Sequence, residues 1–157
     1  MRVRLIFGRP CEDMLTAVKR LRSQGYQIQA FDASLVVSAD HLWYAAQKAM
    51  QAMSQGRNVA RDLGIEILRY ASGQRQIGKA LQMGITQETE RVAVVAVGDI
   101  EEELLAGLVE QDGRYISFDR GRVMAYFEIS DIELEAAGNE RIADLVLERV
   151  ALVNAYR

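Results

Sequence analysis

Arg91 to Gly98 reads RVAVVAVG, six consecutive small or β-branched apolar residues between an arginine and a glycine. A strand with one wet face alternates apolar and polar residues, so this unbroken run predicts a fully buried strand. Upstream, Val3 to Gly8 is a second short apolar run, followed by Pro10, which a first helical turn accepts because it needs no N–H there. A helix is expected from Cys11 to Ser23, with Met14, Leu15, Val18 and Leu21 at helical spacing and Lys19, Arg20 and Arg22 in its last turn. Gln27 to Ser38 reads as an extended segment interrupted near Asp32. Asp40 is the expected cap of a helix from His41 to Gln55, rich in Ala45, Ala46, Ala49 and Ala52, with Met50 and Met53 among them. Those methionines either fill core gaps or form a docking surface. Two further helices are expected at Val59 to Ala71 and Gln74 to Met83, broken at Ser72-Gly73.

Downstream of the buried strand, Asp99 with Glu102 resembles a capping box, so a helix start is expected there. Tyr115 to Phe118 and Arg122 to Ile129 flank Asp119-Arg120-Gly121, which predicts a hairpin. A last helix spans Asn139 to Asn154. The fold class is therefore mixed α/β: one compact domain over residues 1–157, with a small sheet and a helical portion.

The chain has 157 residues, half of them hydrophobic, and no apolar stretch of the roughly 20 residues needed to span a membrane. Its start, MRVRLIFGRPCED, lacks the pattern of a secretion signal, so a cytoplasmic protein is expected. Cys11, the only cysteine, lies beside Glu12 and Asp13, a setting that does not activate a thiol. One histidine, His41, and no paired His/Cys spacing leave little material for a metal centre or for acid–base chemistry. No GxxxxGK[ST] loop occurs, and Gly98-Asp99 lacks the later glycines of a dinucleotide site. A non-catalytic protein without cofactor or metal is expected.

Charge is uneven along the chain. Residues 1–22 carry six basic and two acidic groups, and residues 81–157 carry seven and sixteen. In Gly56 to Leu81, GRNVARDLGIEILRYASGQRQIGKAL, Arg57, Arg61, Arg69, Arg75 and Lys79 face only Asp62 and Glu66, a local +3 in a chain of −3. Arg75 and Lys79, four apart, are expected on one helix face with Gln76 beside them. The Ser72-Gly73-Gln74 amides at that helix start would suit an anion. Either this is a polyanion site or it is a solvated helix face with a Ser-Gly turn. The terminal helix has a broad apolar side of Ile142, Leu145, Val146, Val150, Leu152 and Val153, extended by Ala143, Leu147 and Ala151. Either its excess meets a partner or the helix is deeply buried in its own domain.

Gly56-Arg57-Asn58, Asp62-Leu63, Glu66 to Tyr70 and Ser72 to Ile77 follow the pattern G-[KR]-N, D-L, E-I-L-x-Y, S-G-x-R-Q-I. Over this segment the chain resembles the small kinase-binding subunit of the KEOPS complex, the family of the PRPK-binding protein. The resemblance implies a mixed α/β domain and a non-catalytic role in making threonylcarbamoyl adenosine, a tRNA modification beside the anticodon. It implies docking on the complex's small atypical kinase and binding of the single-stranded CCA 3′ end of tRNA. Indirect partners would be a sugar-kinase-like catalytic subunit and a small dimerising subunit, and the compact length points to an archaeal source. On this basis Arg57, Asn58, Arg61, Arg75, Gln76 and Lys79 are the expected RNA contacts, with Ser72 and Gly73 shaping the turn of the same site. Leu145, Val146, Arg149, Val150 and Val153 are the expected kinase contacts. The alternative is a regulatory module that binds proteins only.

Overall fold

A computed structural model describes residues 2–111 and 118–154. The apolar run Val92–Val97 forms strand β3, flanked by β2 (Gln27–Asp32) and β1 (Val3–Pro10). A two-residue strand β4 (Val109–Glu110) pairs with the outer edge of β1 at Arg9 and Pro10. All these pairings are antiparallel, with Val97 opposite both Val3 and Gln27. β1 and β2 therefore run parallel to each other with β3 between them, and the helix α1 (Met14–Ser23) makes the crossover.

No residue of β3 is more than 6% exposed. Side chains alternate along a strand, so Val92, Val94 and Ala96 enter one core while Ala93, Val95 and Val97 enter another. The first core is closed by Met14, Val18 and Leu21 of α1 and by Leu105 of α5 (Glu102–Ala106). The second is closed by α2 (Ala39–Ser54), α3 (Leu63–Ser72), α6 (Arg120–Tyr126), α7 (Asp131–Ala137) and α8 (Ile142–Ala151). Ala45, Ala46, Ala49 and Ala52 are fully buried and let α2 pack closely on α3 and α8. Met50 and Met53 lie half-buried against this same core.

Several element starts differ from the sequence reading because a different side chain reaches the free amides. Ser38, not Asp40, caps α2: its Oγ accepts from the His41 N–H at 3.2 Å. α3 begins at Leu63 rather than Val59, capped by Asp62, whose carboxylate accepts from the Ile65 N–H at 3.0 Å. The expected Gln74–Met83 helix shrinks to α4 (Ile77–Ala80) and a following 3-10 turn at Leu81–Met83. α5 starts at Glu102, so the Asp99 capping box does not form. The second arm of the expected hairpin is α6, capped by Asp119, which accepts from the Arg122 N–H at 3.1 Å. Val123 and Phe127, one helical turn apart, bury together there. Residues 115–117 of the first arm lie outside the described residues. The expected break near Asp32 is present, as a 3-10 turn at Ala33–Leu35 whose Ser34 N–H is accepted by Asp32.

His41 is fully buried and ties the start of α2 to the end of α3. Its Nδ1 accepts from the Val37 N–H at 3.2 Å, so Nε2 carries the proton and donates to Ala71 O at 2.7 Å. Burial lowers its pKa from 6.5 to about 4, against the opposing hydrogen bond to Ala71. The folded protein thus resists a proton that the unfolded chain accepts. Stability contributed by neutral His41 is present above pH 6.5 and is lost as pH falls towards 4, by about 3 kcal/mol. Urea midpoints measured across this range should fall more steeply for the wild type than for His41→Gln; parallel profiles would disprove the assignment.

Candidate functional site

The basic segment leaves α2 through a turn at Gly56, whose φ of 68° is one that glycine adopts without a Cβ penalty. The Arg57 N–H returns to Ala52 O at 2.8 Å and the Gly56 N–H to Met53 O at 3.3 Å, a Schellman ending. From there the chain runs over Arg57 to Asp62 before entering α3. Asn58 Nδ2 donates to Ala60 O at 2.8 Å, and Arg57 Nε donates to Gln55 Oε1 at 2.7 Å. Asp62 also pairs with Arg22 of α1 at 2.9 Å, which fastens this loop to the opposite side of the sheet.

Two of the segment's seven charges are hidden. Glu66 and Arg69, one turn apart on α3, are both fully buried and form a two-pronged pair, Nε to Oε1 at 3.0 Å and Nη2 to Oε2 at 3.2 Å. Their charges cancel, and Asp62 is matched by Arg22. The segment's exposed basic residues are Arg57, Arg61, Arg75 and Lys79.

α3 ends in a second Schellman turn, at Gly73, where the Gln74 N–H reaches Arg69 O and the Gly73 N–H reaches Tyr70 O. Gly73 has φ 68°, and a Cβ there would lie 3.2 Å from Arg149 Cβ of α8. Ser72 is buried: its hydroxyl donates to Arg69 O at 2.8 Å and accepts from the Gln74 N–H at 3.2 Å. It shapes the turn from inside and is not a contact surface. Arg75 and Gln76 precede the four-residue α4 and do not share a helix with Lys79, which corrects the single-face expectation. So short a helix also supplies no N-terminal anion site of the kind expected at Ser72 to Gln74. Lys79 O instead accepts from the Tyr126 hydroxyl at 2.9 Å, which burial pushes up to about 12 and keeps as a donor, against a smaller opposing hydrogen bond with Ser72.

The expected RNA residues thus form two groups at opposite ends of α3, whose ten residues separate them by about 15 Å. Arg57, Asn58 and Arg61 stand at its start. Gly73, Arg75, Gln76 and Lys79 stand at or beyond its end.

On α8 the expected kinase contacts Leu145, Val146, Val150 and Val153 all face the protein's own core. Arg149 is also committed internally. Its guanidinium donates to Phe127 O at 2.6 Å, Glu128 O at 3.2 Å, Leu145 O at 3.2 Å and Glu133 Oε1 at 2.9 Å. That hydrogen bond from Arg149 holds the Glu133 carboxyl below its usual range. Phe127 and Glu128 end α6, where a cation satisfies free carbonyls. The apolar excess of α8 lies on its other flank: Ala143 and Leu147 are half-buried and Ala151 is exposed, with Leu152 37% exposed at the end.

Gly73 and Arg75 of the second group, but not Gln76 or Lys79, share a groove of about 380 Å³ with the end of α8. Gly73, Gln74 and Arg75 form one wall and Glu148, Arg149 and Leu152 the other. The sequence reading missed Glu66 and Arg69 as organisers; the signal is a charged i,i+3 pair set among Ile65, Ile67 and Leu68. Among the described residues, no three His, Cys, Asp or Glu side chains group as metal ligands, and no helix is long and apolar enough to cross a membrane.

Compared with known families, residues 12–154 match the model of one described as kinase binding protein CGI-121. The match spans the helices and all strands except β1. A search among curated proteins finds no match.

Arg149 acts as a clamp between α8, α6 and α7. Arg149→Met should lower stability by about 1–2 kcal/mol, since it leaves the carbonyl of buried Phe127 without its donor and frees Glu133. Urea denaturation measures this, and a loss under about 0.5 kcal/mol, the level of an ordinary surface change, would refute the clamp.

Proposed function

The chain belongs to the CGI-121 family of kinase-binding proteins, and on that premise we propose that it is a non-catalytic subunit of the KEOPS complex. In this reading it works in the cytoplasm in tRNA threonylcarbamoyl adenosine modification, docks on the complex's atypical kinase and recruits tRNA by its CCA 3′ end. The sugar-kinase-like catalytic subunit and the small dimerising subunit are then indirect partners.

One observation carries the RNA half. Glu66 is buried with Arg69 and Asp62 pairs with Arg22, while Arg57, Arg61, Arg75 and Lys79 are exposed on a protein of net −3. Local positive potential on an acidic protein attracts a polyanion selectively to that surface. The groove contributes shape more than charge, because Glu148 stands opposite Arg75 and Arg149 is matched by Glu133. An unpaired base with apolar contact to Leu152 suits such a lining better than a phosphate does. For the kinase, the flank of Ala143, Leu147 and Ala151 is the available apolar surface of α8, since Val146 and Val150 are already used internally. The non-catalytic reading is supported by His41, whose two ring nitrogens are both engaged inside the core.

Charge reversal at Arg75 and Lys79 should weaken binding of intact tRNA at least tenfold near physiological salt and make its salt dependence shallower. Removing the CCA end from the tRNA should weaken wild-type binding and have little further effect on this variant. Equal affinity for intact and truncated tRNA would leave the protein-only module as the surviving reading. Leu147→Glu should abolish co-purification with the kinase while leaving tRNA binding intact; an unaffected kinase complex would move the docking surface away from this flank.

A further inference from the structure

The four exposed cations do not all stand on regular structure. Arg57 and Arg61 stand on the loop between α2 and α3, and loops of this kind are mobile unless their backbone groups are tied down. Here the tie is a buried side chain. The Glu66 carboxylate accepts the Ala60 N–H at 3.0 Å through Oε1 and the Val59 N–H at 3.3 Å through each oxygen. These are consecutive amides between Arg57 and Arg61, so fixing their peptide plane fixes the direction in which the chain presents both arginines.

Side-chain burial does not explain the path of the loop at Val59, which is 44% exposed although its amide points inwards. Arg69 completes the arrangement. It donates to both carboxylate oxygens from below while the loop amides donate from above, and the whole arrangement is removed from water. A buried ion pair is a costly way to gain stability, since apolar side chains of similar volume serve as well or better. Its distinct capability is directional: a carboxylate has acceptor sites for several donors at once, and a leucine has none.

We infer that Glu66, held by Arg69, is a positioning residue for RNA recognition: it pre-organises the Arg57–Arg61 loop so that both cations meet the tRNA backbone without an ordering cost. This rests on the tRNA-binding reading above. It adds a residue that touches no RNA and places it beneath two that do.

The test is a thermodynamic cycle with tRNA transcripts ending in CCA. The Glu66→Leu/Arg69→Met pair removes both buried charges at similar volume and leaves every surface cation in place. Binding should fall roughly tenfold, the ordering of two long side chains and their loop. The same pair introduced into an Arg57→Ala/Arg61→Ala protein should cause no further loss, because nothing remains to be positioned. Kinase co-purification serves as the folding control. If Arg57→Ala/Arg61→Ala itself leaves tRNA affinity unchanged, this loop is not an RNA surface and the inference falls, while the Arg75/Lys79 and CCA comparisons still decide the tRNA reading. If that variant binds weakly but the Glu66/Arg69 pair binds normally, or if the two losses simply add, the positioning role is overturned. Amide hydrogen exchange on the wild type decides the matter should the buried variant not fold. Val59 and Ala60 should exchange as slowly as the interior of α3, and rapid exchange there would show that the loop is not held.

Discussion

Covering both faces of β3 is the constraint from which the rest of the architecture follows. Its six residues are small or β-branched, have no polar side chain to present to water, and are hydrogen-bonded to a strand on either side. Each face must therefore meet a helical layer. α1 and α5 serve the Val92, Val94 and Ala96 side, and α2, α3 and α8 serve the other. The second layer is much larger than the strand requires, and its interior holds the polar groups that organise the functional surface.

Those interior groups join parts of the chain that are distant in sequence. His41 connects the start of α2 to Ala71 at the end of α3, and Arg149 connects α8 to the end of α6 and to α7. Glu66 and Arg69 do the same for the loop before α3. His41, Glu66 and Arg69 are surrounded by apolar packing, where hydrogen bonds are short of competitors and an unmet partner is expensive, while Arg149 is part-buried at the wall of the groove. The helical layer is held in one arrangement by direction as well as by burial. The segment from Gly56 to Ile77 divides accordingly: Glu66, Arg69, Tyr70 and Ser72 are inside, while Arg57, Arg61, Arg75 and Gln76 are exposed.

What was legible in the sequence followed from short-range rules. The buried strand, the amphipathic spacing of α1, the alanine face of α2, the glycine ending after α3 and the interruption at Asp32 each depend on neighbours within a few residues. Errors arose where two local solutions compete. Ser38 and Asp40 are both good caps, and Ser38 prevails because His41 is drawn into the core behind it. Arg122 to Ile129 has enough aromatic and β-branched residues for a strand. Capping by Asp119 and joint burial of Val123 and Phe127 make it a helix instead. The helix expected from Val59 starts late because Glu66 takes the Val59 and Ala60 amides.

The sequence alone determined that this is a mixed α/β chain built on one two-sided strand, with a cationic segment and a terminal helix more apolar than a single stripe. Periodicity and charge are properties of residue order, so they survive without coordinates. Only the tertiary structure decided which charges count and which apolar side is free. Arg69 and Arg75 look alike in the sequence, yet one is sealed against Glu66 and the other lines a groove against α8. Val146 and Leu147 are adjacent aliphatic residues, yet one is core and the other flank. The physical reason is that burial is a property of long-range packing, and packing sets both whether a charge is cancelled and whether an apolar surface is already spent.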